Sequence, residues 1–381
     1  MQFHNFELER FQSDFERTVE YNLADSSVQC VNVRELLPAD AIEQLLDTQL
    51  FYPEVNGTTL LRERIAALYP QANSRNVLVT VGAAQANSLI CSTLLEAGDE
   101  VIVISPGYRQ VWGMARNLGC RVKELHLLSQ DGWKLDLAKL TSLAGPGTKL
   151  IAVVNPNNPT GTVLSREEMQ HIVRICEATG AWLHADEVYR GTEMHQEETP
   201  TFWTQYDKVI CTNSLSKAYG LAGLRIGWIV ASQEMIEAFW RRHEYAVIAA
   251  SGPSMKLAEI ALQSDRRQML LDRQKQLSRT GHKMLADWIH DQHGLFSTHP
   301  AAATSIAFVQ YHFDMPSIEL ADEIRRRASV LVAPGALLGS EHHLRLAVGY
   351  PAEKMQTALS RISKAVSELG VKKSFVTMKA V

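Results

Sequence analysis

Cysteine is scarce, with five in 381 residues, far apart and never in a Cys-x-x-Cys pair. That scarcity argues against a disulfide framework or a zinc knuckle and points to a reducing compartment. An excess of one charge is missing too. Lys and Arg number 38 against 42 Asp and Glu, a formal charge of −4, so there is no basic footprint of the kind that nucleic acid or an anionic membrane surface requires. The expected partner is a small molecule. Long apolar runs are absent as well. The charge-free stretch from Asn76 to Leu95 contains Asn, Gln, Ser, Thr and Gly, which fits a buried strand and helix better than a membrane span. No basic segment followed by an apolar one opens the chain, so a cytoplasmic location is expected.

What is present is ordinary globular composition, 46% apolar and 21% charged, in a length that suits two or three domains or one large fold with an appendage. Short β-branched runs recur at 77–80, 101–104, 150–154, 182–185, 209–212 and 227–230, separated by amphipathic segments. One of these segments opens on Ser165-Arg166-Glu167-Glu168, a capping-box pattern, and stops near Gly180. Near-continuous apolar strands joined by helices predict an α/β fold with a mostly parallel sheet covered on both faces. From about 235 to 293 the pattern is helical, with a long helix around 267–290. Beyond it, strands at 304–311, 330–333 and 343–348 and helices at 317–327 and 352–369 suggest a smaller α+β domain. The expected division is a large domain over 46–285 and a small one made of 1–45 and 286–381. The last dozen residues carry no pattern.

In open α/β sheets ligands sit beyond the carboxyl ends of the strands. After the run at 209–212 comes Ser214-Leu215-Ser216-Lys217, with Arg225 eight residues past the lysine. A lysine among hydroxyls and glycines can lose its proton and attack a carbonyl to form a Schiff base, while Ser214, Ser216 and Arg225 suit a phosphate. A solvated loop lysine is the plain alternative. Ser214-x-x-Lys217 also spells an acyl-enzyme signature, but its companion motifs Ser-Asp-Asn and Lys-Thr-Gly are missing. After 182–185 comes Asp186-Glu187-Val188-Tyr189; an acidic strand end can hold a positive ring nitrogen, or simply be solvated. After 150–154 lies the turn Asn155-Pro156-Asn157-Asn158-Pro159-Thr160-Gly161. After 77–81 come Gly82, Ala83 and Ala84, which open a helix whose free N–H groups could meet an anion.

Together, in this order and spacing, these motifs resemble the class I/II aminotransferases, pyridoxal 5′-phosphate (PLP) enzymes of fold type I, over roughly 21–369. The resemblance implies a seven-stranded sheet and a catalytic set of Lys217 carrying the cofactor, Asp186 on its ring nitrogen and Tyr189 on its ring oxygen, joined there by Asn158. It also implies Gly82, Ala83, Ala84, Ser214, Ser216 and Arg225 around the phosphate and Tyr108 stacked on the ring. Tyr52 would reach the phosphate of a neighbouring subunit in a homodimer with shared sites. Arg345, in Leu344-Arg345-Leu346 after Pro334-Gly335-Ala336, would bind the α-carboxylate. The expected partners are an amino acid and a 2-oxo acid. One departure stands out: where the family commonly has a Gly-x-Pro loop, this chain has Asn22-Leu23-Ala24-Asp25-Ser26-Ser27-Val28-Gln29. That loop resembles a subgroup that includes capreomycidine synthase-like enzymes, which carry out elimination and ring closure on a hydroxylated arginine. Asp25 is accordingly a candidate for a cationic substrate side chain, or else a turn cap. A transcription regulator on the same fold would need a DNA-binding domain ahead of it, and only about fifty residues precede Tyr52.

Overall fold

The computed structural model describes residues 3–195 and 197–371. Its central element is a seven-stranded sheet in the spatial order Val77–Val81, Ile226–Val230, Val209–Ser214, Trp182–Asp186, Thr148–Val154, Glu100–Ser105, Arg121–His126. All neighbours pair in parallel except Ile226–Val230, which runs antiparallel to both of its partners. Val209–Ser214 and Ile226–Val230 are buried at every position, as expected of central strands covered by helices on both faces. Six of these strands correspond to the apolar runs in the sequence. The seventh, Arg121–His126, has the composition RVKELH and is partly exposed. It lies at the sheet edge, where one row of backbone groups has no partner strand and polar side chains are tolerated, so it carries no apolar run.

Between Thr148–Val154 and Trp182–Asp186 the crossover helix Arg166–Thr179 begins as its sequence indicates. The Ser165 hydroxyl accepts from the Glu168 amide at 3.2 Å, the Glu168 carboxylate accepts from the Ser165 amide at 2.7 Å, and Gly180 ends the helix at φ 72°. The charge-free stretch from Asn76 folds as the strand Val77–Val81 and the helix Gly82–Leu94.

A second, four-stranded antiparallel sheet has the order Ala333–Pro334, His343–Ala347, Ile306–Tyr311, Phe296–Thr298, with helices Ser317–Ala328 and Ala352–Glu368 closing its core. The expected single strand over 330–333 is two. Val330–Leu331 pairs in parallel with Tyr21–Asn22, while Ala333–Pro334 belongs to the four-stranded sheet. Helix Ser264–His290 joins the two bodies: Leu270 and Leu271 pack into the core under the large sheet, and Leu285 packs into that of the small one. The expected boundary at 285 therefore falls inside one continuous helix. The first 45 residues also divide between cores. Leu23 joins the core of the small sheet, Leu8 and Ala24 pack with Phe308 and Leu331, and Leu36, Leu37 and Ala41 pack under the large sheet. The patternless C-terminal segment lies almost wholly outside the described residues.

Candidate active site

Three parallel strands end side by side, with Val154 in register with Asp186 and Asp186 in register with Thr212. Beyond their carboxyl ends opens a cleft of about 390 Å³. Lining it are Asp25, Ala83, Ala84, Tyr108, Asn158, Asp186, Tyr189, Ser214, Ser216, Lys217 and Arg225. Residues separated by up to 200 positions in the chain thus meet in one place.

Lys217 is held at the centre of the cleft. Its Nζ donates to the Ser26 and Ser27 hydroxyls at 2.8 and 3.3 Å, and the Asp25 carboxylate stands 3.8 Å away. Burial works against the ionised Asp25, but Lys217, the Ser27 amide and Arg345 outweigh it and hold its carboxyl below the usual range. Asp186, at the end of its strand, is 6% exposed and accepts from the Val188 amide at 3.2 Å. Burial pushes its carboxyl up to about 6, against the hydrogen bonds from Val188 and Asn87. Tyr189 is buried, and its hydroxyl has no hydrogen-bond partner. A buried phenol left unpaired is costly, so the cleft presents a donor and acceptor ready for a ligand oxygen.

Behind the cleft wall, against Asn158 of the lining, a further group is prepared for an anion. Arg345 is 1% exposed, yet its partners are neutral: Nη1 donates to Asn158 Oδ1 at 3.1 Å, Nη2 donates to the Ala24 carbonyl at 2.6 Å, and Nε has no partner. Among the described residues no carboxylate lies within ion-pairing distance of it. A buried guanidinium without a close ion pair is expensive to maintain, and a carboxylate taken up bidentately relieves it.

A third region forms where helix Gly82–Leu94 begins. Gly82 sits at φ +72°, and a Cβ there would run into the Arg225 guanidinium; a Cβ on Gly227 would lie 2.5 Å from the Ala83 nitrogen. Both glycines let a helix N-terminus and a guanidinium approach closely. Arg225 Nη1 reaches the Ser216 hydroxyl at 3.5 Å and the Ala222 carbonyl at 2.9 Å. Free amides, hydroxyls and a guanidinium together are the donor set of a phosphate cradle. With the unpaired Tyr189 hydroxyl and the buried Asp186, this donor set fits pyridoxal phosphate.

Three residues named from the sequence stand outside the lining. Gly82 and Arg345 lie behind the cleft wall, Arg345 bonded to Asn158 of the lining, and Tyr52 is 72% exposed, with Leu50 and Phe51 before it in the chain exposed as well. Conversely, sequence reading missed Asn87, Ser26, Ser27, Gln110, Phe6 and Glu9, all of which line the cleft. Asn87 left a trace, as a polar residue on a helix face otherwise made of Ala86, Leu89, Ile90 and Leu94. Ser26 and Ser27 sat beside Asp25 in a loop already singled out. Glu9 and Phe6 left none, since an N-terminal amphipathic helix gives no hint of what it covers.

The family described as aminotransferase class I and II matches residues 20–362 of the chain. A solved PLP-dependent aminotransferase from Streptococcus suis superposes with a TM-score of 0.90 at 30% identity, covering 97% of this chain and 99% of that one. Aspartate aminotransferase of Streptomyces avermitilis is 27% identical, covering 78% of this chain and 76% of its own length. Capreomycidine synthase of Streptomyces vinaceus is 26% identical over 89% of this chain and 86% of its own.

Proposed function

The chain belongs to the class I and II aminotransferase family, and from that premise we propose that this cleft transfers the amino group of an amino acid to a 2-oxo acid with Lys217 as the central residue. The observation that carries the reading is Arg345, a buried guanidinium with no carboxylate at ion-pairing distance among the described residues, bonded to Asn158 in the wall of the cleft that holds Lys217.

Bound pyridoxal phosphate supplies an electron sink for charge developing at the substrate α-carbon. The residues divide the remaining work. Ser214, Ser216, Arg225 and the amides of the first helical turn at Ala83 and Ala84 hold the phosphate. Asp186 would keep the ring nitrogen protonated, Tyr189 and Asn158 would serve the ring oxygen, and Tyr108 would hold the ring. Arg345 grips the α-carboxylate and so fixes which bond at the α-carbon is aligned for cleavage. Lys217 would carry the cofactor and, as an amine held by Ser26 and Ser27, would move a proton at the substrate α-carbon.

The exposed group of Leu46, Leu50, Phe51 and Tyr52, with Tyr245 and Ile248 likewise exposed, supports a homodimer in which Tyr52 completes the partner's phosphate site. Large exposed apolar side chains, among them the Phe51 and Tyr52 rings in contact at 6.1 Å, suit such an interface. The five cysteines are free, and no described helix is long and apolar enough to cross a membrane; both agree with a cytoplasmic enzyme. A second reading, elimination and ring closure on an amino acid, draws support from the likeness to capreomycidine synthase, and every cofactor-facing residue would serve it equally.

Arg345→Gln tests the assignment. Truncating one partner of a buried charge pair costs about 2–5 kcal/mol, so KM for the amino acid rises about 30-fold or more while the cofactor's visible absorbance is retained. A KM within a fewfold of the parent's would remove Arg345 from the substrate site.

A further inference from the structure

Glu187 follows Asp186 directly, and Tyr219 stands two residues past Lys217. Both are buried, and neither lines the cleft. Glu187 accepts from the Thr201 hydroxyl at 2.7 Å and the Phe202 amide at 3.0 Å, and Tyr219 packs in the core under the large sheet with Phe202 and Leu270. A chain of charges joins the two. Glu187 stands 3.4 Å from Arg190 Nη1, Arg190 Nε 3.0 Å from Glu198, and Glu198 2.7 Å from Arg267 Nη2. Arg267 Nε then donates to the Tyr219 hydroxyl at 3.2 Å. Burial works against the ionised Glu198, but Arg190 and Arg267 outweigh it and hold its carboxyl below the usual range.

Arg267 lies near the start of helix Ser264–His290, the element shared by both cores. Further along the same helix, Arg273 Nη1 donates to the Gln29 carbonyl at 2.6 Å, next to the loop whose Ser26 and Ser27 hold Lys217 Nζ. Gly220 rests on that segment too: its φ is +66°, and a Cβ there would lie 2.9 Å from the Val28 side chain. The Lys217 loop is thus fixed from below by Arg267 and from the side by residues 28 and 29. Ion pairs taken out of water add little net stability. What such a network supplies is a single arrangement, because a shift of one member leaves another charge buried and unpaired. On the proposed reading Asp186 and Lys217 serve opposite ends of the cofactor ring, so their separation must match it. A misplacement of about 1 Å at a reacting group costs about 100-fold in rate.

We propose that Arg267 is a positioning residue that sets the separation of Lys217 and Asp186, acting through Tyr219 on one side and through Glu198, Arg190 and Glu187 on the other. The inference rests on the reading of Lys217 and Asp186 as cofactor residues and adds to it a residue outside the cleft.

Tyr219→Phe removes only the oxygen that Arg267 holds and keeps the ring in the core, so it tests the contact even if Arg267→Gln does not fold. The cofactor-loaded parent, both single variants and the double variant are compared at a temperature where calorimetry finds each fully folded. Visible circular dichroism of the bound cofactor reads the ring's geometry against Lys217 without any substrate; its amplitude is expected to change in each single variant while cofactor content stays the same. The twenty standard L-amino acids are then mixed singly with the parent, without an acceptor, and the fastest is used on the variants. Its single-turnover rate is expected to fall about tenfold in each single variant, while the concentration giving half the maximal rate stays within about twofold. The double variant should be no slower than the slower single one, because both substitutions break one contact. Dichroism or rate unchanged in both single variants, losses that multiply in the double variant, or a loss due wholly to weaker amino acid binding overturns the inference and leaves the cofactor chemistry intact. A parent that takes up no cofactor overturns the reading beneath it as well, and the missing absorbance tells that case apart.

Discussion

Asp186 shows how a single residue can be costly to the fold and yet line the cleft. Burial raises its carboxyl from an ordinary 3.8 to about 6. A group whose folded pKa lies above its unfolded one weighs against folding as pH rises past the unfolded value, and the cost is complete above the folded one. In the cofactor-free protein that cost develops between pH 3.8 and 6 and reaches about 3 kcal/mol, at 1.36 kcal/mol per unit. A protonated ring nitrogen placed against the carboxylate removes the penalty by drawing the pKa back down. Asp186→Asn should therefore raise the melting temperature of the cofactor-free protein at pH 8, have little effect near pH 3.5, and weaken cofactor binding at both. Scanning calorimetry with and without cofactor checks all three signs; a lower melting temperature at pH 8 would show that Asp186 is structurally compensated.

At the scale of elements, the phosphate cradle depends on the close approach of strand Ile226–Val230 to the first turn of helix Gly82–Leu94. Gly227 makes that approach possible, because a Cβ there would meet backbone atoms of Gly82 and Ala83 at 2.5 Å. Backbone cannot swing aside as a flexible side chain can. Gly227→Ala should cost about 1–3 kcal/mol, the usual range for overpacking, and should weaken phosphate-dependent cofactor binding more than a surface mutation of equal stability cost. Much at this scale was legible in the sequence. The box at Ser165 and Glu168, the stop at Gly180 and six of the seven large-sheet strands follow from local chemistry that tertiary packing did not override. Arg121–His126 was hidden because an edge strand needs no apolar pattern, and the split between Val330–Leu331 and Ala333–Pro334 because a short run does not reveal which sheet it joins. In the site, the residues at strand ends were readable from motif and spacing. Asn87, Ser26 and Glu9 were not, because they meet only when a helix face, a loop and the N-terminal helix are brought to one cleft.

The whole molecule places that cleft beside two cores that share helix Ser264–His290, with the N-terminal helix packed as one wall of the opening. Nothing in the cofactor-facing half distinguishes amino transfer from elimination or ring closure, since the same lysine, carboxylate and guanidinium serve each. The difference lies in where the amino nitrogen ends up. Mixing the cofactor-loaded protein with one amino acid at a time, with no acceptor present, measures this directly. Amino transfer predicts one equivalent of 2-oxo acid per site and a cofactor left in its amine form, neither of which appears in Lys217→Ala. An unsaturated or cyclised product, with the cofactor returned as the aldehyde and no 2-oxo acid retaining the full side chain, would contradict it.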